Sequence, residues 1–177
     1  MSDRHPNVTN VDELEWEAGM THGTRFGSKT KHLAAKTAAR SIGCTLYEVD
    51  PGKRAFPMHA HMANEEAIYI LEGEGTMRIG ESQVPVRAGD YVAFPPGPQS
   101  AHQLINTSSA PLRYLCMSTM RGPEVALYPD SGKVGVRALS PAPMRLLFKS
   151  STAAVSLADY FEGEDGADGD KERKTSD

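Results

Sequence analysis

From about residue 42 to 137, short runs rich in Val, Ile, Tyr and Phe alternate with Gly and Pro punctuation. Period-two alternation over four to eight residues is the pattern of half-buried strands, not of helices. Strands are expected at about 44–49, 56–61, 66–71, 75–79, 83–87, 91–94, 102–106 and 112–119. Turn signals separate them at Asp50-Pro51-Gly52, Glu72-Gly73-Glu74-Gly75, Gly80-Glu81, Ala88-Gly89-Asp90 and Pro95-Pro96-Gly97-Pro98. Many short strands at such close spacing, without interposed helices, imply an antiparallel sandwich or barrel. No internal repeat is visible, so the strands suffice for one barrel.

The flanks differ from this middle. Residues 1–40 read as a polar arm, with KHLAAKTAAR (31–40) expected as a short helix because Ala, Leu, Lys and Arg are good helix formers. Its basic positions Arg25, Lys29, Lys31, Lys36 and Arg40 are expected on a solvated arm packed on the barrel or a partner subunit, the alternative being a phosphate-binding patch. Residues 41–137 form the barrel, with 126–136 a loop holding at most one more strand and an ordinary turn at Pro129-Asp130-Ser131-Gly132. Residues 138–160 are expected as an extension packed on the barrel. The acidic tail 161–177 is too polar and Gly-rich to offset its ordering entropy, and disorder is expected there.

Composition narrows the class. A chain of 177 residues can bury a core without staples, and its net charge of −4 argues against non-specific nucleic-acid binding. Cys44 and Cys116 lie far apart in apolar runs and are expected as buried free thiols. The polar, acidic N-terminus lacks the apolar core of a secretory signal, and no run approaches 18 apolar residues. A cytoplasmic protein with no membrane partner is the expectation.

Of the six histidines, only His59, His61 and His102 fall in predicted strands. His59 and His61 are two apart, so the pleat turns both imidazoles to one face. Glu66 opens the next strand after a four-residue connection, and a hairpin would return its carboxylate beside them, walled by Ile68 and Ile70. Neighbouring Glu65 is sent to the opposite, solvent face. His102 starts a later strand that could close against the group. Three imidazoles and a carboxylate suit one divalent Fe, Mn, Ni, Co or Zn ion and not an all-oxygen Ca site.

The stretch from Gly52 through His59, His61 and Glu66 to Gly73 resembles the first motif of the cupin superfamily. The stretch Gly89, Pro95, Gly97, His102, Asn106 resembles its second motif. The resemblance covers about 40–120 and implies an all-β, small jelly-roll barrel of the single-domain type, with His59, His61, Glu66 and His102 as metal ligands. Two spacings depart from the family pattern. One extra residue separates Gly52 from His59, and four residues instead of two separate Gly97 from His102.

Tyr47, Met58, Tyr69, Phe94, Gln103 and Met117 are candidates to line a substrate pocket, although residues of these types are more often simply core or surface. Arg54 and Arg78 are candidates for binding a substrate anion. The function expected is that of a metal-dependent enzyme acting on a small oxygen-rich metabolite, either a dioxygenase or a sugar or sugar-phosphate isomerase. The alternative is a non-catalytic small-ligand-binding module. No residue stands out as the proton-shuttling base of an isomerase, so the catalytic residues are not assigned. Barrels of this kind associate through an edge sheet, and a homodimer is expected.

Overall fold

A computed structural model describes residues 4–138, 144–151, 154–157 and 160–163. The chain enters through a 3-10 turn at Val11–Glu13 and a hairpin of β1 (Glu17–His22) and β2 (Phe26–His32). After a 3-10 turn at Ala34–Lys36 come β3 (Ile42–Val49), the two-residue β4 (Ala60–His61), β5 (Glu66–Glu72) and β6 (Glu74–Ile79). β7 (Ser82–Arg87), β8 (Tyr91–Phe94), a 3-10 turn at Pro98–Ser100, β9 (His102–Ile105) and β10 (Leu112–Thr119) complete the segment that carries both motifs. β11 (Glu124–Tyr128), β12 (Lys133–Ala138), β13 (Met144–Ser151) and β14 (Ala154–Leu157) follow. Among the described residues there is no α-helix, and hence none long and apolar enough to cross a membrane.

Three antiparallel sheets wrap into the jelly roll. Their orders are β1-β2-β3-β10-β5-β8, β14-β13-β12-β11-β4 and β7-β6-β9. Alternation decides which residues fill the interior. Ile68 and Ile70 of β5, Met77 of β6, Val86 of β7, Phe94 of β8, Leu104 of β9 and Leu112 and Tyr114 of β10 form one buried cluster. Burying such side chains stabilises by about 1.5–3 kcal/mol each.

The motif punctuation has physical causes. Gly73 sits at φ +85°, where a side chain is strained, and a Cβ there would lie 2.7 Å from the carbonyl oxygen of Pro111. Gly97 at φ +131° turns its N–H onto the carbonyl of His61 at 2.8 Å. Asn106 is fully buried; its amide donates to the carbonyls of Val49 and Ala110, and its oxygen accepts from Ser108. It thereby ties the end of β9 to the turn before β10.

Several expectations need correction. Residues 31–40 form no helix: β2 continues through His32, and only Ala34–Lys36 makes a single turn. Cross-strand pairing with β3 outweighs helix propensity there, since Lys31 is buried with its ammonium on the carbonyl of Val11 and over the ring of Trp16. The arm is thus a hairpin joined to β3 of its own chain. Residues 126–136 are two strands of a hairpin, not a loop, although the turn between them falls where expected. Within 138–160, expected as an extension packed on the barrel, β13 pairs with β12. Phe161, assigned to the disordered tail, stacks on His22 with ring centroids 4.4 Å apart and touches Phe26. The rest of that tail expectation, from 164 onward, lies outside the described residues.

Candidate metal centre

β4 is short because His59 is not part of it. His59 instead makes an isolated antiparallel bridge with His102, each donating its backbone N–H to the other's carbonyl at 3.1 and 2.8 Å. This bridge places the imidazoles of the two motifs side by side, with centroids 4.6 Å apart. His61 lies 5.0 Å from His59, as the two-residue spacing requires. Glu66, at the start of β5, aims its carboxylate between them: Oε2 is 3.4 Å from His61 Nε2 and Oε1 is 3.0 Å from His102 Nε2.

Ligand atoms of His59, His61 and Glu66 all lie within 4.8 Å of one another, the arrangement of a metal-holding triad. His102 falls outside that mutual set but touches it through Glu66. The long loop before His102 forms the 3-10 turn Pro98–Ser100, and the carbonyl of Ser100 accepts the Nδ1–H of His102 at 2.9 Å. His59 likewise gives Nδ1–H to the carbonyl of Pro57 at 2.9 Å. In a neutral imidazole this fixes the tautomer and leaves Nε2 as a lone pair.

His102 Nε2 and Glu66 Oε1 stand 3.0 Å apart, a spacing at which the two atoms share either a proton or a cation. Both ring nitrogens of His61 are buried without a hydrogen-bond partner. A buried donor set so incompletely paired fits a divalent ion.

Electrostatics agree. Burial chiefly, with the neighbouring His102, pushes His59 down to about 3, which keeps it neutral and able to ligate. Burial works to raise Glu66, but contacts with His102 and His61 outweigh it and hold the carboxyl well below the usual range. For His61, burial is outweighed by Glu66 and then Glu124, and its value is raised.

The group opens onto a cavity of about 490 Å³. Tyr47 lines it, with Phe56, Tyr128 and Tyr160. Of the other expected pocket residues, Gln103 lines a small void that also touches His59, Glu66 and His102, and the rest lie outside both spaces. Tyr69 is exposed on the outer face of β5, opposite Tyr91. Met117 alternates with the lining residues Cys116 and Ser118 and so turns away. Met58 packs with Ala60 and Ala101 in a separate small cluster. Phe94 supports the centre from behind, its ring parallel to that of His102 at 3.6 Å, and Gln103 is buried, donating to the carbonyl of Phe56. Arg54 is buried over Phe26, and Arg78 forms a two-pronged ion pair with Asp130, so neither serves the cavity. Cys44 and Cys116 are free thiols that line it; burial, then Glu66, pushes Cys116 up.

Sequence reasoning missed Glu124. It is buried, accepts from the backbone N–H of Met62 and Ala63 and from the Asn64 amide, and faces His61 Nδ1. Its signal was faint: Glu124 alternates with Ala126 and Tyr128, but it stands just before the stretch 126–136 read as a loop, and those two stand inside it.

Comparison with known proteins follows the same lines. Residues 45–118 match the cupin domain family. An uncharacterized protein from Methanocaldococcus jannaschii is 32% identical over 110 residues, 61% of this chain and 86% of that protein. The solved structure of a candidate sugar phosphate isomerase from Acidithiobacillus ferrooxidans is 26% identical, with a TM-score of 0.70 over 82% of this chain and 92% of that one. A sugar phosphate isomerase of the cupin superfamily from Silicibacter pomeroyi shares the fold at 23% identity and a TM-score of 0.69, over 78% and 90% of the two chains. The chain belongs to the cupin superfamily, as a monocupin.

Proposed function

We propose that this cupin is a metal-dependent enzyme that isomerises a small, anionic, oxygen-rich metabolite of the sugar-phosphate class. The observation that carries the reading is one cavity lined both by the donor set His59, His61 and Glu66 and by four arginines, Arg40, Arg121, Arg137 and Arg145. Among the described residues, two carboxylates, Glu66 and Glu124, share that lining. A site so charged draws anions, and low-dielectric walls focus the field.

With His102 as fourth ligand, a bound Fe, Mn, Ni, Co or Zn ion would act as a Lewis acid on substrate hydroxyl and carbonyl oxygens. The chain's own groups do the rest. Pro57 and Ser100 hold two imidazoles in the ligating tautomer, Glu124 stands 3.7 Å from Nδ1 of the third, and the ring of Tyr128 lies 6.3 Å from that of His59 between centroids. Likeness to the Acidithiobacillus protein supports isomerisation over dioxygen chemistry.

The test is metal analysis of protein purified without chelators, followed by aldose–ketose phosphate interconversion in D2O. Chelation should abolish the interconversion, and deuterium entering at C2 of the aldose or C1 of the ketose would mark proton transfer rather than a hydride shift. Binding without interconversion would make the protein a ligand-binding module instead. A homodimer is proposed alongside, supported by the exposed apolar residues Tyr69, Leu71 and Tyr91 on the outer face of β5 and β8. Light scattering at micromolar concentration checks it.

A further inference from the structure

Arg137 and Arg145 stand directly opposite each other on β12 and β13, in the row that begins with Glu124 on β11. Like charges facing across a ladder are destabilising. Glu124 does not relieve them, because its carboxylate is turned to Asn64 and the backbone of Met62 and Ala63. Among the described residues neither arginine pairs with a carboxylate; Arg145 lies over the ring of Tyr160 at 4.2 Å.

Both arginines line the cavity of the metal centre. The adjacent row of the same sheet runs from His61 through Ala126 to Gly135, so the arginine row lies one pleat repeat, about 7 Å, farther along the strands. Ala126 and Gly135 line the cavity between the two rows, with Tyr128 and Leu147 packed beside Gly135.

We infer that Arg137 and Arg145 form a subsite for the phosphate of a phosphate monoester, whose carbon chain spans the gap to the donor set. Two guanidinium forks offer planar pairs of N–H donors that match phosphate oxygens, and a dianion between them removes their mutual repulsion. Tyr160 holds the Arg145 plane, and Arg40 and Arg121 add positive field elsewhere on the lining. This inference rests on the isomerase reading for the identity of the rest of the substrate, but the subsite itself does not depend on the metal.

The experiment is calorimetric titration of the full chain with inorganic phosphate. Wild type, Arg137→Gln, Arg145→Gln, Arg145→Lys and His59→Ala are compared, each with a thermal melt to verify folding. Each glutamine variant should weaken phosphate binding by about tenfold, and Arg145→Lys should recover part of the loss. His59→Ala should bind phosphate as the wild type does. Unchanged affinity in both glutamine variants overturns the subsite, as does loss of phosphate binding in His59→Ala, which would put the anion on the metal. Acetate binding as tightly as phosphate also overturns it. Absence of isomerase activity with arginine-dependent phosphate binding intact would remove the isomerase reading alone.

Discussion

Glu124 Oε1 stands 3.7 Å from His61 Nδ1, and this carboxylate comes from a strand outside both cupin motifs. The backbone N–H groups of Met62 and Ala63 and the amide of Asn64 immobilise it, so the loop between His61 and Glu66 is built around Glu124. A carboxylate behind a ligating imidazole fixes ring orientation and raises its basicity.

Replacing Glu124 by Gln keeps the shape and removes the charge. Metal affinity in Glu124→Gln should fall about 10–100-fold while the chain stays folded. Competition with a chromogenic chelator measures this directly. An affinity equal to wild type would mean that Glu124 serves only the loop.

Metal removal should register in stability as well as chemistry. An ion that binds only the folded state stabilises it by about 2.7 kcal/mol at a concentration 100 times its Kd. Added Zn or Mn should therefore raise the melting temperature of chelator-treated wild type. It should do so little or not at all in His59→Ala and Glu66→Gln. Equal shifts in wild type and both variants would locate the bound ion elsewhere.

The barrel and the heart of the site were legible because each rests on a short-range rule. Strand parity alone puts His59 and His61 on one face, and buried Ile68 and Ile70 alternate behind Glu66 as their pattern says. The N-terminal strands were hidden because β2 buries Ser28, Thr30 and Lys31, polar residues whose inward positions are set by β1 and β3. Arg40, Arg121, Arg137 and Arg145 come from four separate places in the chain and meet only around the cavity. Arg54 and Arg78 looked equally suitable in sequence, and only packing shows them engaged elsewhere.

Phe94 should matter twice. Its side chain is 2% exposed, and its ring is the parallel backing of His102. Phe94→Ala should cost about 3–5 kcal/mol in urea unfolding, through lost burial and the cavity left behind. It should also loosen His102 and weaken metal binding, whereas Phe94→Leu should lose less of both. Stability within 1 kcal/mol of wild type in Phe94→Ala would contradict this packing role.

Lys133 anchors the segment that brings Tyr160 to the cavity. It is 1% exposed, with its ammonium donating to the carbonyls of Tyr160 and Glu162. Lys133→Met retains the stem and removes these donors. Chymotrypsin should then cut at Tyr160 or Phe161 faster than in wild type. Equal cleavage rates would show that the rings of His22 and Phe26 hold the segment without the lysine.

Acid should weaken the sheet at Glu48. This residue of β3 is buried and accepts from Arg113 Nε at 2.7 Å and Lys29 Nζ at 3.2 Å. Burial alone would raise its carboxyl, but Arg113 and then Lys29 outweigh it and hold the value below the ordinary 4.5. A group depressed on folding stabilises fully above its unfolded value and loses that contribution as pH falls through the folded one. At pH 7, Glu48→Gln should therefore be less stable than wild type by about 1–2 kcal/mol, because a charge-assisted acceptor is lost. The difference should shrink steadily below about pH 4.5, where the wild-type carboxylate is progressively neutralised. Urea melts of both proteins at pH 7 and pH 3 test the sign. A gap that stays constant or widens in acid would show that Glu48 contributes through packing and not through its charge.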